Sequence, residues 1–338
     1  MKAIIVKKPG NIKLEDKEYP ENLESNEVRL KVKTVGVCGS DLHIYQGTNP
    51  FVSYPRIIGH EFAGEVETVG FDVQGFKIGD HVSIDPVSSC GICYACNLKR
   101  QNVCKNLSVL GVHKNGGMQE YIVLPISSLH KIPDQFSWEA AALVEPFTIA
   151  AQVCSRGRIK ADDKVCIIGA GPIGTAVMMV CKMLGAEVLI TDVNSSRLIM
   201  AKELGADAII NPIEGNEKKE LDNFTDKEGF SVVVDAAGFP ETFEKAIDIA
   251  SIAGRVVILG FSEKNSAITQ KEITKKELDI IGSRLHANKF PDVIKWIEKG
   301  LIKPKKLVTH HFHFSNIKEA IKLIEKTPPG LCKAVIEF

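Results

Sequence analysis

Thiol, imidazole and carboxylate side chains gather in two short segments of this chain. VGVCGSDLH brings together Cys38, Ser40, Asp41 and His43, and IIGHEFAG supplies His60 and Glu61. These are zinc ligand types, and a catalytic zinc keeps three protein ligands and leaves one position for water or substrate. Taken singly, each has an ordinary reading: Cys38 in packing, His60 in a turn, Glu61 in solvent. Taken jointly, beside the two motifs that follow, they read as an open metal site.

CGICYACNLKRQNVC places further thiols at Cys90, Cys93, Cys96 and Cys104. Four thiolates close a tetrahedral zinc completely, so this site is expected to be structural, fixing a loop with little apolar content to bury. An iron–sulfur cluster and a thiol switch are the rivals, and spacing alone does not exclude the cluster.

GAGPIG follows the apolar run VCII and opens the helical run IGTAVMMVCKML. In that setting Gly169 permits a tight turn, Gly171 lets backbone approach a pyrophosphate, and Gly174 allows helix to pack closely on strand. Pro172, followed by Ile173, suits a first helical turn, where the missing N–H costs little. Asp192 ends the next strand in LITDVN, placed to accept hydrogen bonds from an adenosine ribose, which favours NAD over NADP. Arg197 qualifies this, since its guanidinium can stack on adenine or bind a phosphate.

The elements that must carry these residues fall into three stretches. From Met1 to about Leu143, short β-rich runs broken by Gly, Pro and Asp predict an irregular, mostly antiparallel β domain. From about Val144 to Ala287, strand candidates at 165–169, 187–191, 208–210, 232–236, 255–260 and 278–282 alternate with helical segments, which predicts a doubly wound parallel sheet and an α/β protein. The tail holds amphipathic helices around Pro291–Lys299 and Asn316–Lys326 and a last strand, AVIEF. Because β character returns there, the tail is expected to rejoin the first domain, giving domains of 1–147 with 288–338, the cysteine lobe at about 88–106, and 148–287.

The 338 residues, at 44% hydrophobic with 42 basic against 42 acidic side chains, describe a globular protein without a net field for polyanions. Nucleic acid and anionic membrane are poor default partners. The apolar run Ala3–Val6 is too brief for a signal peptide, and Thr175–Thr191 is interrupted by Lys182 and Glu187, so a cytoplasmic protein is expected. In a reducing compartment the remaining Cys154, Cys166, Cys181 and Cys332 read as small buried hydrophobes. His310, His311 and His313 form a histidine-rich stretch that flanks a strand candidate and are not read as a metal site, and KPKK at 303–306 reads as a solvated loop.

GVCGSDLH, GHEFAG, the cysteine lobe, GAGPIG and the acid-ended strand occur in the order found in zinc-dependent medium-chain dehydrogenases, which the whole chain resembles. VEPFTIAAQV (144–153) is similar to the polyol and threonine dehydrogenase branch; DPVSSCGICYAC, LGVHKNGGMQEY and GSRLHANKFP are closer still to the starvation-sensing, L-galactonate oxidoreductase type. The resemblance implies a GroES-like catalytic domain, a Rossmann NAD-binding domain, two zinc ions per subunit and a homodimer or homotetramer. It implies Cys38 and His60 as constant ligands of the catalytic zinc and Glu61 as a neighbouring carboxylate that binds zinc or trades places with water. Glu145 becomes an acidic residue across the metal, Asp41 the carboxylate orienting the zinc histidine, and Ser40 with His43 a proton relay.

Arg284 and His286, just past the last strand candidate, are expected near the nicotinamide, where a cation would pair with a substrate carboxylate. In sorbitol dehydrogenases the substrate-facing arginine would fall at Leu285, and one residue's offset in a strand reverses the facing side. The expected activity is NAD(H)-linked interconversion of a secondary alcohol and a ketone on a sugar acid or polyol. L-Threonine 3-dehydrogenase and sorbitol-type dehydrogenase are the alternatives, and a non-catalytic, nucleotide-responsive regulator is the alternative class.

Overall fold

Val28, Leu30 and Val32 alternate with Arg29, Lys31 and Lys33, the period-two pattern of a strand with one face on a core. That strand, Glu27–Gly36, is the spine of a seven-stranded sheet ordered Leu129–Lys131, His81–Ile84, Glu61–Val69, Glu27–Gly36, Lys333–Glu337, Val308–His313, with Tyr121–Pro125 also paired to the spine. The register slips between Val32 and Thr34, and beyond it Thr34, Val35 and Gly36 are all buried. A bulge of this kind re-aims side chains, and here it stands just before Cys38.

The computed structural model describes residues Met1–Phe338, which divide into two units, Met1–Glu145 with Phe290–Phe338 and Pro146–Lys289. In the first, the C-terminal strand Lys333–Glu337 lies antiparallel to the spine, with Val335 opposite Gly36. The tail helices Phe290–Glu298 and Ile317–Lys326 dock by one face each, burying Phe290 and Val293, and Ile317, Ala320 and Ile321. The histidines do not merely flank a strand: His310, His311 and His313 lie within Val308–His313, with His311 bonded to Glu337 and His313 to Ser315.

The second unit is a six-stranded, wholly parallel sheet ordered Ala208–Ile210, Glu187–Thr191, Lys164–Ile168, Phe230–Asp235, Ala250–Ile258, Asp279–Gly282. Helices cover both faces of such a sheet, so its central strands read as continuous apolar runs, and Val165, Cys166, Ile167, Val232, Val233 and Val234 are fully buried. The strand order reverses beside Lys164–Ile168, and ligands of such sheets bind at the carboxyl ends of the strands at that point. Cys154, Cys166 and Cys181 are buried, whereas Cys332 is only half-buried. No helix is long and apolar enough to cross a membrane.

Candidate zinc centres and nucleotide loop

The helix Gly39–Gln46 was not signalled by apolar periodicity, since only Asp41 and Ile44 are buried in it. Polar contacts fix it instead. Asp41, fully buried, accepts the Cys38 backbone N–H on one oxygen (2.9 Å) and the Gly59 N–H on the other (3.1 Å), tying together the segments that carry Cys38 and His60. Burial raises the Asp41 pKa, opposed by His60 and by the two N–H donors.

Cys38, His60 and Glu61 bring their donor atoms within 4.8 Å of one another. His60 points Nε2 toward the Ser40 hydroxyl (3.5 Å); its Nδ1 is buried without a hydrogen-bond partner, 3.8 Å from Asp41. Burial works against charge on His60, but Cys38, Asp41 and Glu145 outweigh it and hold its pKa well above 6.5. Glu145, second residue of the helix Val144–Arg156, is buried. A thiol, an imidazole and carboxylates in a pocket that favours positive charge fit a zinc ion. His43 is exposed one turn beyond Ser40, its Nδ1 3.0 Å from Thr48 Oγ1.

Two residues of this neighbourhood escaped the sequence reading. Lys333, 3% exposed, lies 2.7 Å from Glu61 through its ammonium and donates to the Val37 carbonyl at 3.2 Å. Its pKa is raised: burial lowers it, but Glu61, Cys38 and Glu145 prevail. Gly36 lies between them in the sheet. The usable signal is slight, a lysine directly before the apolar run Ala334–Ile336.

In the cysteine lobe, Sγ–Sγ separations are 3.5 Å for Cys93–Cys96, 3.8 Å for Cys93–Cys104 and 3.4 Å for Cys90–Cys104. A tetrahedron with Zn–S bonds of about 2.3 Å has edges of about 3.8 Å, so the four thiols fit zinc. Backbone N–H groups of Cys90 and Asn106 donate to Cys104 Sγ, and those of Cys96 and Lys105 pull the Cys93 thiol down to about 6. The thiolate, the form a metal requires, is thereby favoured at Cys93, whereas at Cys104 the Cys90 and Asn106 N–H donors are outweighed by burial and by the neighbouring thiols Cys90 and Cys93, and its pKa is pushed up to about 11.

The glycine loop joins a tight turn to close helix–strand packing. Gly169 has φ +104°, and a Cβ on Gly174 would overlap the Gly169 carbonyl oxygen. A Cβ on Gly171 would meet nothing within 4 Å, so open space faces the backbone where a pyrophosphate would approach. Pro172 opens the helix Pro172–Met183, and Ile173 is half-buried. Asp192 accepts N–H groups from Ala170 and Asn194, both at 2.8 Å, with Arg197 Nη1 3.7 Å away. Each carboxylate oxygen keeps a further lone pair for a ribose hydroxyl. Asp235, unremarked in the sequence, does similar work two strands over, on the far side of Lys164–Ile168, by accepting the Ala237 and Gly238 N–H groups.

Arg284 lies beyond the end of the strand Asp279–Gly282, and Leu285 takes φ +47°, so the facing-side argument from strand alternation does not apply to it. Its guanidinium lies 5.0 Å over the Phe261 ring, and His286 is 1% exposed.

Residues 24–134 match the alcohol dehydrogenase GroES-like domain and residues 172–299 the zinc-binding dehydrogenase domain. The chain is 44% identical to the starvation-sensing protein RspB of Escherichia coli K12, over 100% of this chain and 99% of the relative. It is 32% identical to L-galactonate-5-dehydrogenase of the same organism, over 100% and 99%. The crystal structure of the rspB alcohol dehydrogenase from E. coli CFT073, complexed with NADH, superposes with a TM-score of 0.95 at 44% identity, over 100% of this chain and 99% of that one. With a GroES-like β unit, a Rossmann sheet and both candidate zinc centres in place, the chain belongs to the zinc-type, medium-chain alcohol dehydrogenase-like family of oxidoreductases.

Proposed function

We propose that this oxidoreductase interconverts a secondary alcohol and a ketone on a sugar acid or polyol of the L-galactonate kind, using NAD(H). The observation that carries the reading is the convergence of Cys38, His60 and Glu61 within 4.8 Å. Kinship with L-galactonate-5-dehydrogenase supports the substrate class, and Asp192 supports NAD, because a 2'-phosphate would meet its charge.

Zinc, when bound, supplies Lewis-acid polarisation of the substrate oxygen. Cys38 and His60 would hold it, with Glu61 or Glu145 as a carboxylate partner, and Asp41 keeps the two constant ligands in register. Ser40 stands where it can take the hydroxyl proton, and His43, exposed one turn along the helix, passes it to solvent. Gly169, Gly171 and Gly174 would seat the pyrophosphate, with Pro172 and Ile173 opening the helix behind it. Asp192 would take the ribose and Arg197 would border the adenosine. NAD, when bound, would supply the acceptor for the hydride of the carbinol carbon. Arg284 and His286 are assigned to the substrate carboxylate, 1–147 with 288–338 to catalysis, and 148–287 to the dinucleotide. The edge strand Asp279–Gly282 suits pairing between subunits of a homodimer or homotetramer.

The test is NADH formation by zinc-loaded protein against aldonic acids, hexitols and L-threonine, with Cys38→Ser as control. Sugar-acid turnover that vanishes in the control is expected. Turnover of threonine alone would transfer the chain to the threonine dehydrogenases. NADH binding without turnover of any compound would favour the regulator.

A further inference from the structure

In IKPKKL, the apolar Ile302, Pro304 and Leu307 are interleaved with Lys303, Lys305 and Lys306. The three apolar side chains are buried around the turn Pro304–Leu307, and the three lysines are exposed. The tract is therefore more than a solvated loop, because it docks by one side and presents ammonium groups on the other. Beside it lies a cavity of about 530 Å³ whose apolar lining is Phe136, Ala140, Ile297, Ile302 and Pro304. One wall is the helix Trp138–Ala142 with the loop before it, and the other is the end of the helix Phe290–Glu298 with the lysine turn. All of it lies within the unit formed by Met1–Glu145 and Phe290–Phe338, and none of its lining belongs to the zinc set or the glycine loop.

A space of this size, with apolar walls and few polar groups, is that of a small-molecule site. A polyol or aldonic acid would bring hydroxyls that the apolar walls leave unpaired, which is costly, so the occupant differs from the substrate. The three lysines line the cavity against one acid, Glu298, and this positive balance selects an anion over a neutral or cationic amphiphile. Lys305 is already paired with Glu139 at 3.5 Å, whereas Lys303 and Lys306 are exposed and in no ion pair. We propose that the cavity binds a free, unbranched medium-chain carboxylate, its chain against Phe136, Ala140, Ile297 and Ile302 and its head group on Lys303 and Lys306. This site goes beyond the dehydrogenase reading and stands or falls apart from it.

The test is calorimetric titration of zinc-loaded protein saturated with NADH, so that the dinucleotide site is filled, with hexanoate, octanoate and decanoate below their micellar concentrations. One site per chain is expected, tightening about 3-fold for each methylene added, the factor that burying most of a methylene supplies. Exposed ion pairs are individually weak, so replacing both Lys303→Gln and Lys306→Gln should weaken octanoate about 3- to 10-fold and leave 1-octanol unchanged. Ala140→Leu, whose added carbons enter the cavity, should abolish binding of both, with a cooperative thermal transition showing that the variant is folded. If Ala140→Leu does not fold, the lysine pair and the chain-length series decide. An octanoate affinity unaltered by the lysine pair or by folded Ala140→Leu, or one that does not grow with chain length, overturns the inference. So do 1-octanol binding as tightly as octanoate, displacement of octanoate by an aldonic acid, which would make the cavity a second substrate site, and binding to phosphatidylglycerol vesicles without binding of the free carboxylate.

Discussion

Replacing Cys104 by serine should unfold the cysteine lobe and leave the rest of the chain standing. Within the lobe most large apolar side chains are exposed, Ile92 80%, Tyr94 81% and Leu98 52%, while the buried residues are Asn102 and the ligand Cys104. Hydrophobic burial therefore contributes little there. Ordering the fifteen residues from Cys90 to Cys104 costs about 15 kcal/mol at roughly 1 kcal/mol each, and a structural zinc returns about 10–16 kcal/mol. The two terms match, so the lobe is expected to fold only with its metal. Trypsin should cut Cys104→Ser, or the chelated wild type, at Lys99, Arg100 and Lys105 while sparing the sheets, and zinc content should fall from two per chain to one in the variant. Should the lobe stay resistant to protease after its zinc is stripped, the reasoning fails, because some other interaction would then be holding it.

Asp192→Ser removes a charged acceptor while leaving Arg197 in place. NADH affinity should drop about 10-fold or more, the effect of losing a charge-assisted hydrogen bond of about 1.5–3 kcal/mol, and NADP should gain; fluorescence titration that finds both unchanged would remove Asp192 from the cofactor site. Gly174→Ala drives a methyl into the Gly169 carbonyl and should destabilise by about 1–3 kcal/mol with loss of cofactor binding, so an unaltered denaturation curve would contradict the close packing read there. Asp207 has its pKa lowered: burial opposes this, but Lys182 and the Val188 N–H outweigh it. Stability from that pair is therefore present above the unfolded value near 3.8 and lost as pH falls through the lower folded pKa. Lys182→Met should flatten the acid limb of the stability curve, and an acid limb identical to wild type would refute the assignment.

Much of this was legible because it is local. The glycine turn is a run of six residues whose backbone demands are met within the run, and strands such as Glu187–Thr191 and Ala208–Ile210 fall on the residues that hydrophobicity marks. The cysteine lobe is equally local. The helix that presents Cys38 was not, because it is held by Asp41 bridging to Gly59 rather than by an apolar stripe. Arg284 and Leu285 were read as though a strand continued through them, whereas Leu285 turns into the left-handed region and strand alternation stops counting.

Lys333 shows the deeper reason for what stayed hidden. It meets Glu61 across 272 residues of sequence, through a register that depends on which strand the tail chooses to join. A lysine among apolar residues at the end of a chain has nothing local to distinguish it. Its meaning comes from the charge around it: Cys38, Asp41, Glu61 and Glu145 can all carry negative charge in one neighbourhood, and Lys333 is a single buried ammonium among them. One cation cannot offset so many anions in a low-dielectric interior, and although burial opposes it, Cys38, Asp41 and Glu145 hold the His60 pKa well above 6.5. A divalent ion answers the same demand better, since it leaves His60 neutral as a ligand must be. The donor set is thus one that a divalent metal would balance, with Lys333 offsetting part of the charge on Glu61.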